Sequence, residues 1–209
     1  NNNNNNNNQS IHKEERILAN SIIISGEICG AKFKILEPLQ WNGCLLIYAH
    51  GYRPPEYPLK VEIDKDGECY QKLLSDGWMI AATSYRRMGV IIKDAMDDII
   101  NLRHFITERY HKNPDIVLLE GQSMGGGICT RLAEREFHGL FHGVLAIGAA
   151  LMTREDMQTI DDLNTPLLYT PTIPILYLTN ESELGPIEQY IQKCFEQHSN
   201  ISNNNNNND

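Results

Sequence analysis

Residues 116–127 read Ile116-Val117-Leu118-Leu119-Glu120-Gly121-Gln122-Ser123-Met124-Gly125-Gly126-Gly127, and this stretch decides the fold. It opens on four apolar residues without alternation, the pattern of a strand buried on both faces of a sheet. A serine between two glycines follows, and the chain then reads as a helix to about residue 137. A strand that turns this sharply into a helix needs the glycines, because a Cβ beside the serine would collide with neighbouring backbone while Ser123 itself stays exposed. The triplet Gly-x-Ser-x-Gly alone is weak evidence, since roughly one chain in fifteen of this length would hold it by accident at ordinary glycine and serine frequencies. The strand before it, the helix after it and two more small residues at Gly126 and Gly127 make it strong.

Outward from this turn, short apolar runs alternate with longer amphipathic segments. That pattern predicts an α/β protein: a mostly parallel sheet with helices on both faces. Residues 22–24 and 31–36 read as an opening antiparallel pair turning around Gly26 and Gly30. Residues 44–49 form a buried strand that ends at His50-Gly51, and a loop with Pro54, Pro55 and Pro58 follows. A helix over 68–75 is stopped by Gly77, and a strand covers 78–83. Ala95, Ile99, Leu102 and Ile106 recur at helical spacing within residues 94–110, and Pro114 marks the end of that helix. Strands over 143–149 and 173–179 flank an insertion at 150–172, expected to act as a short cap. A last helix covers 186–197, and nothing after it reads as a strand, so the sheet is expected to be incomplete at its C-terminal end. The domain is placed at residues 11–198, between Asn-rich low-complexity tails at 1–10 and 199–209 that offer no apolar face.

Composition narrows the function. The 209 residues carry a net charge of −9, with 41% hydrophobic and 22% charged residues. The hydrophobic fraction is enough for a core and excludes a wholly disordered chain. The acidic balance argues against nucleic acid or an anionic membrane surface as the main partner, and favours a small-molecule substrate. No apolar run approaches the roughly 18 residues of a membrane span. The five cysteines (Cys29, Cys44, Cys69, Cys129, Cys194) are odd in number and form no C-x-x-C pair, so neither a disulfide frame nor a metal site is expected. No cofactor is expected either: Gly125-Gly126-Gly127 lacks the Gly-Lys-Ser/Thr ending of a phosphate loop. A cytoplasmic protein is the default expectation. The chain begins with Asn rather than Met, so a preceding segment is open, and Asn180 and Asn200 head glycosylation triplets of the kind common by chance.

The chemistry implied is acyl transfer. Such a site needs a nucleophile and two backbone N–H groups aimed at the developing oxyanion. One belongs to the residue after the nucleophile, Met124, and the other to the loop after the earlier buried strand, Tyr52. His50 reads as a brace for that loop in preference to a proton carrier. Arg53, Arg86 and Arg87 read either as carboxylate binders at the pocket mouth or as braces of the fold.

With these pieces in place, residues 22–197 resemble the α/β-hydrolase superfamily, in its serine esterase and peptidase-like branch. The resemblance rests on GQSMGGG at 121–127, on LIYAHGYR at 46–53 and on ATSYR at 82–86. It implies a Ser–acid–His triad in that chain order. The acid would sit in the turn after the strand at 173–179, which puts Glu183 in place, with Glu181 the nearest competitor and Asp156 weaker. The histidine departs from the pattern. Beyond Glu183 the chain offers only His198, at the far end of a helix about 18 Å long, and the strand that would return a histidine to the site is missing. His104, His111, His138 and His142 read as surface or packing residues, and His12 sits in an undefined N-terminal stretch. Two functions follow as expectations: a serine hydrolase acting on an ester through an acyl-enzyme on Ser123, or a non-catalytic or truncated hydrolase-fold protein that binds a ligand or partner.

Overall fold

The computed structural model describes residues 14–17, 21–135, 139–152 and 165–205. Eight strands form one sheet: β1 (Glu14–Ile17), β2 (Ser21–Ile28), β3 (Ala31–Pro38), β4 (Cys44–Ala49), β5 (Met79–Thr83), β6 (Ile116–Gln122), β7 (Gly143–Ile147) and β8 (Ile175–Leu178). Their spatial order is β1-β2-β3-β5-β4-β6-β7-β8. β1, β2, β3 and β5 pair antiparallel in succession, and every pairing from β5 to β8 is parallel. Four helices complete the described chain: α1 (Glu68–Ser75), α2 (Ile92–Tyr110), α3 (Met124–Ala133) and α4 (Leu184–Asn205). Among the described residues no strand follows β8.

The core lies mainly on one face. Val117 and Leu119 of β6, Leu45 and Ile47 of β4 and Ala146 of β7 pack there against Ile99 and Ile106 of α2, Ile128 and Leu132 of α3, and Ile187 and Tyr190 of α4. Each large apolar side chain so buried contributes about 1.5–3 kcal/mol. A smaller cluster on the opposite face joins Leu36, Leu46 and Ile80 to Leu74 of α1. The helices therefore cover both faces, as the alternation of apolar runs predicts.

Several boundaries differ from the sequence reading, for local reasons. Gly26 lies inside β2, opposite Phe33, and the hairpin turns instead at Cys29 and Gly30, both at positive φ. The chain at 14–17 pairs with β2 although its sequence, Glu-Glu-Arg-Ile, shows no alternation. α3 ends at Ala133, four residues before the expected 137, which lies outside the described residues. β8 is shorter than 173–179, and α4 starts two residues earlier than expected and runs on to Asn205, into the terminal asparagines. Residues 153–164 of the expected cap also lie outside the described residues.

Two buried charges fasten the C-terminal third. The Arg131 guanidinium donates from Nε to the Thr165 carbonyl at 2.8 Å and from Nη2 to that of Met152 at 2.7 Å. The Glu134 carboxylate accepts from the Leu168 and Tyr169 amides and from the Tyr190 hydroxyl, all within 2.9 Å. Three donors offset the desolvation that a buried carboxylate incurs.

Candidate active site

Ser123 stands between β6 and α3 with φ 53° and ψ −119°, outside the regions L-residues favour. Such strain persists only where the surroundings over-determine it. They do so here through close backbone packing. A Cβ on Gly121 would overlap the Gly125 carbonyl, and one on Gly125 would overlap the Ala49 carbonyl. The Ser123 amide donates to the Ile147 carbonyl at 2.9 Å, and the Ser123 carbonyl accepts from the amides of Gly127 and Ala150. The side chain is left exposed. Strain, close packing and an exposed side chain thus coincide at one serine.

The His50-Gly51-Tyr52 loop lies against this turn: the Cβ position of Gly51 is 3.1 Å from the Gln122 carbonyl and 3.3 Å from the Ser123 Cβ. Met124 is the first residue of α3, so its N–H has no carbonyl one turn back within the helix. The two amides singled out for the oxyanion thus belong to adjoining backbone segments.

Glu183 lies in a short 3₁₀ turn (Glu181–Glu183) directly after β8, where the sequence reading puts the acid. Its Oε2 is 3.2 Å from the Cβ position of Gly148, at the end of β7, and accepts from the side-chain amide of Asn180 at 3.2 Å. Glu181 is exposed on the same turn. Asp156 lies outside the described residues.

The histidines are dispersed. His50 is buried, with Nδ1 2.7 Å from the Gly51 carbonyl and Nε2 3.2 Å from that of Ser84. Burial pushes its pKa below the usual imidazole value, against the opposing effect of these contacts. His142 precedes β7 and its Nδ1 accepts from the Val117 amide at 3.0 Å, at the end of the sheet away from Ser123. His104 is exposed on α2 and His111 caps that helix at φ 50°. His198 lies fourteen residues into α4, about 21 Å along it, beside Cys194 and Phe195 in a separate cavity of about 410 Å³. His12 and His138 lie outside the described residues. Among the described residues no histidine is hydrogen-bonded to Ser123.

The arginines are braces. Arg53 donates to the Lys60 carbonyl and to Glu62, and so shapes the loop after Tyr52. Arg86 meets the fully buried Asp98 carboxylate through Nε, Nη2 and its own amide, and this pairing holds the Arg86 pKa above its ordinary value. Arg87 pairs with Asp94.

The sequence reading missed a polar cavity of about 360 Å³ on the α1 side of the turn, walled by Tyr48, Arg53, Tyr70, Glu120 and Gln122. There Tyr70 donates to Glu120 at 3.1 Å, and burial raises the pKa of both. The signal that could have found it is a glutamate inside an apolar strand. No cluster of three His, Cys, Asp or Glu is placed to hold a metal ion among the described residues, and none of their helices is long and apolar enough to cross a membrane.

Comparison with solved structures gives the fold. The chain is similar to dienelactone hydrolase from Anabaena variabilis ATCC 29413, at 16% identity and a TM-score of 0.58, over 88% of this chain and 81% of that one. It is also similar to the Francisella virulence factor BioJ, at 14% identity and a TM-score of 0.54, over 90% and 71%. A third likeness, to acetyl xylan esterase 1 from Thermoanaerobacterium sp. JW/SL YS485, has 17% identity and a TM-score of 0.48 over 70% of this chain. The chain spans about half of that esterase, 55% of its length. No family model and no curated protein sequence matches the chain. The first two likenesses, with the strand order and the strand–serine–helix turn, define the α/β-hydrolase fold.

Proposed function

We propose that this protein is a serine hydrolase that cleaves carboxylic esters of small molecules. The observation that carries the reading is the strained, exposed Ser123 packed against the His50-Gly51-Tyr52 loop. Ser123 Oγ attacks the ester carbonyl carbon, and its proton passes to a base. The Tyr52 and Met124 N–H groups stabilise the oxyanion, the alcohol leaves, and water hydrolyses the acyl-enzyme. Glu183 takes the place of the acid, the group that in such a triad orients a histidine base. None of the described histidines fills that role, so among the described residues a nucleophile and oxyanion donors stand without a located base. Oxyanion and binding contributions alone sustain roughly 10³–10⁴-fold over water, and slow acylation is expected.

The test is labelling of the purified chain with a fluorophosphonate probe. Labelling that Ser123→Ala abolishes supports the reading. A well-folded chain that takes up no probe defeats it and favours the second reading, a hydrolase-fold protein that binds a ligand or partner without turnover. That second reading is favoured by the dispersed histidines and by the half-exposed β8 beside Glu183.

A further inference from the structure

The loop that carries the Tyr52 amide is held by its carbonyls. The His50 carbonyl accepts from the hydroxyl of Tyr85 at 3.1 Å, the Gly51 carbonyl lies 2.7 Å from His50 Nδ1, and the Arg53 carbonyl accepts from the Gly89 amide at 2.9 Å. Two of these anchors belong to one segment, residues 84–89, and the third, the His50 ring, meets that segment through Nε2, 3.2 Å from the Ser84 carbonyl. The His50 ring also stacks on Tyr85, with centroids 4.1 Å apart. The segment is itself locked. Tyr85 is fully buried at φ 56°, Ser84 exchanges backbone and side-chain hydrogen bonds with Lys32, and Arg86 is tied to Asp98.

The Gly51 carbonyl and the Tyr52 N–H belong to the same peptide plane. In a trans peptide these two groups point in opposite directions, so whatever fixes the carbonyl also aims the N–H. Both ring nitrogens face carbonyls, which only accept, and a neutral imidazole carries a single proton; the nearer carbonyl, that of Gly51 at 2.7 Å from Nδ1 against that of Ser84 at 3.2 Å from Nε2, claims it. We propose that His50, as its Nδ1–H tautomer stacked on Tyr85, is a positioning residue that aims the Tyr52 amide by gripping the carbonyl of the same peptide. This rests on the hydrolase reading for the use of that amide, but the positioning itself does not. His50 takes no proton from Ser123; its effect is transmitted through one peptide plane.

The two ring contacts can be separated by substitution, because an Asn amide reproduces the Nδ1 donor and a Gln amide the Nε2 position. In the 15N-labelled wild type at neutral pH, NMR should find the proton of His50 on Nδ1. A ring protonated on Nε2 alone overturns the proposal, whether or not any variant folds. With the fluorophosphonate probe, His50→Gln should label at least about tenfold more slowly, in keeping with the loss of an oxyanion donor, and His50→Asn within about threefold of wild type. Equal rates for the two folded variants overturn the proposal. If wild type takes up no probe, the hydrolase reading fails while the positioning is still decided: the Tyr52 amide resonance should shift in His50→Gln and hold in His50→Asn, and the reverse pattern overturns it.

Discussion

β5 and β8 belong to the same sheet and end at opposite extremes of burial. All five residues of β5 are buried, whereas Leu176 and Leu178 of β8 are 60% and 48% exposed. Ser123 and the Gly51–Tyr52 peptide stand on the buried centre of the sheet, and Glu183 stands on its exposed rim. The consequence is an uneven site. Ser123 is held by overlapping backbone constraints and the Gly51–Tyr52 peptide by its carbonyl, but Glu183 leans on one asparagine in a solvent-exposed turn.

That contrast can be broken most forcefully at glycines. Gly125→Ala should cost about 3 kcal/mol or more, since its Cβ meets unyielding backbone at Ala49. Gly185→Ala, at the start of α4 with nothing within 4 Å of the new methyl, should change stability by less than about 1 kcal/mol. Urea unfolding of both variants decides; equal losses would mean the rim is as tightly built as the centre. A step smaller, Asp98→Ala removes the buried acceptor of three Arg86 hydrogen bonds and should cost about 2–3 kcal/mol. Glu183→Gln in the same assay should stay within about 0.5 kcal/mol. The smallest effect is expected for Leu176→Thr, within about 0.5 kcal/mol, because its side chain gives up little buried area. A loss above about 1.5 kcal/mol there would show that β8 is covered in solution.

The same contrast explains what the sequence made legible. β4 and β6 are buried on both sides, so they read as unbroken apolar runs, and the glycines around Ser123 mark backbone contact so close that no other residue fits. Glu183 could be placed because it follows the last apolar run. The brace at His50 was readable as a role, but its partner was not. Tyr85 sits in the left-handed region without being glycine, and its contact with His50 spans 35 residues. Asp98 looks like any acid on an amphipathic helix until the fold turns it inward toward Arg86. The strand at 14–17 and the extension of α4 into asparagine run against local propensity, which leaves no periodic signal to read. The base is a different matter, because neither the sequence order nor the described geometry brings a histidine to Ser123.

Arg131 holds the carbonyls of Met152 and Thr165 with one guanidinium, a non-covalent staple between two points of the chain thirteen positions apart. Arg131 sits on α3, the helix that begins beside Ser123, so the positions of both carbonyls are referred through one buried charge to the element that carries the serine turn.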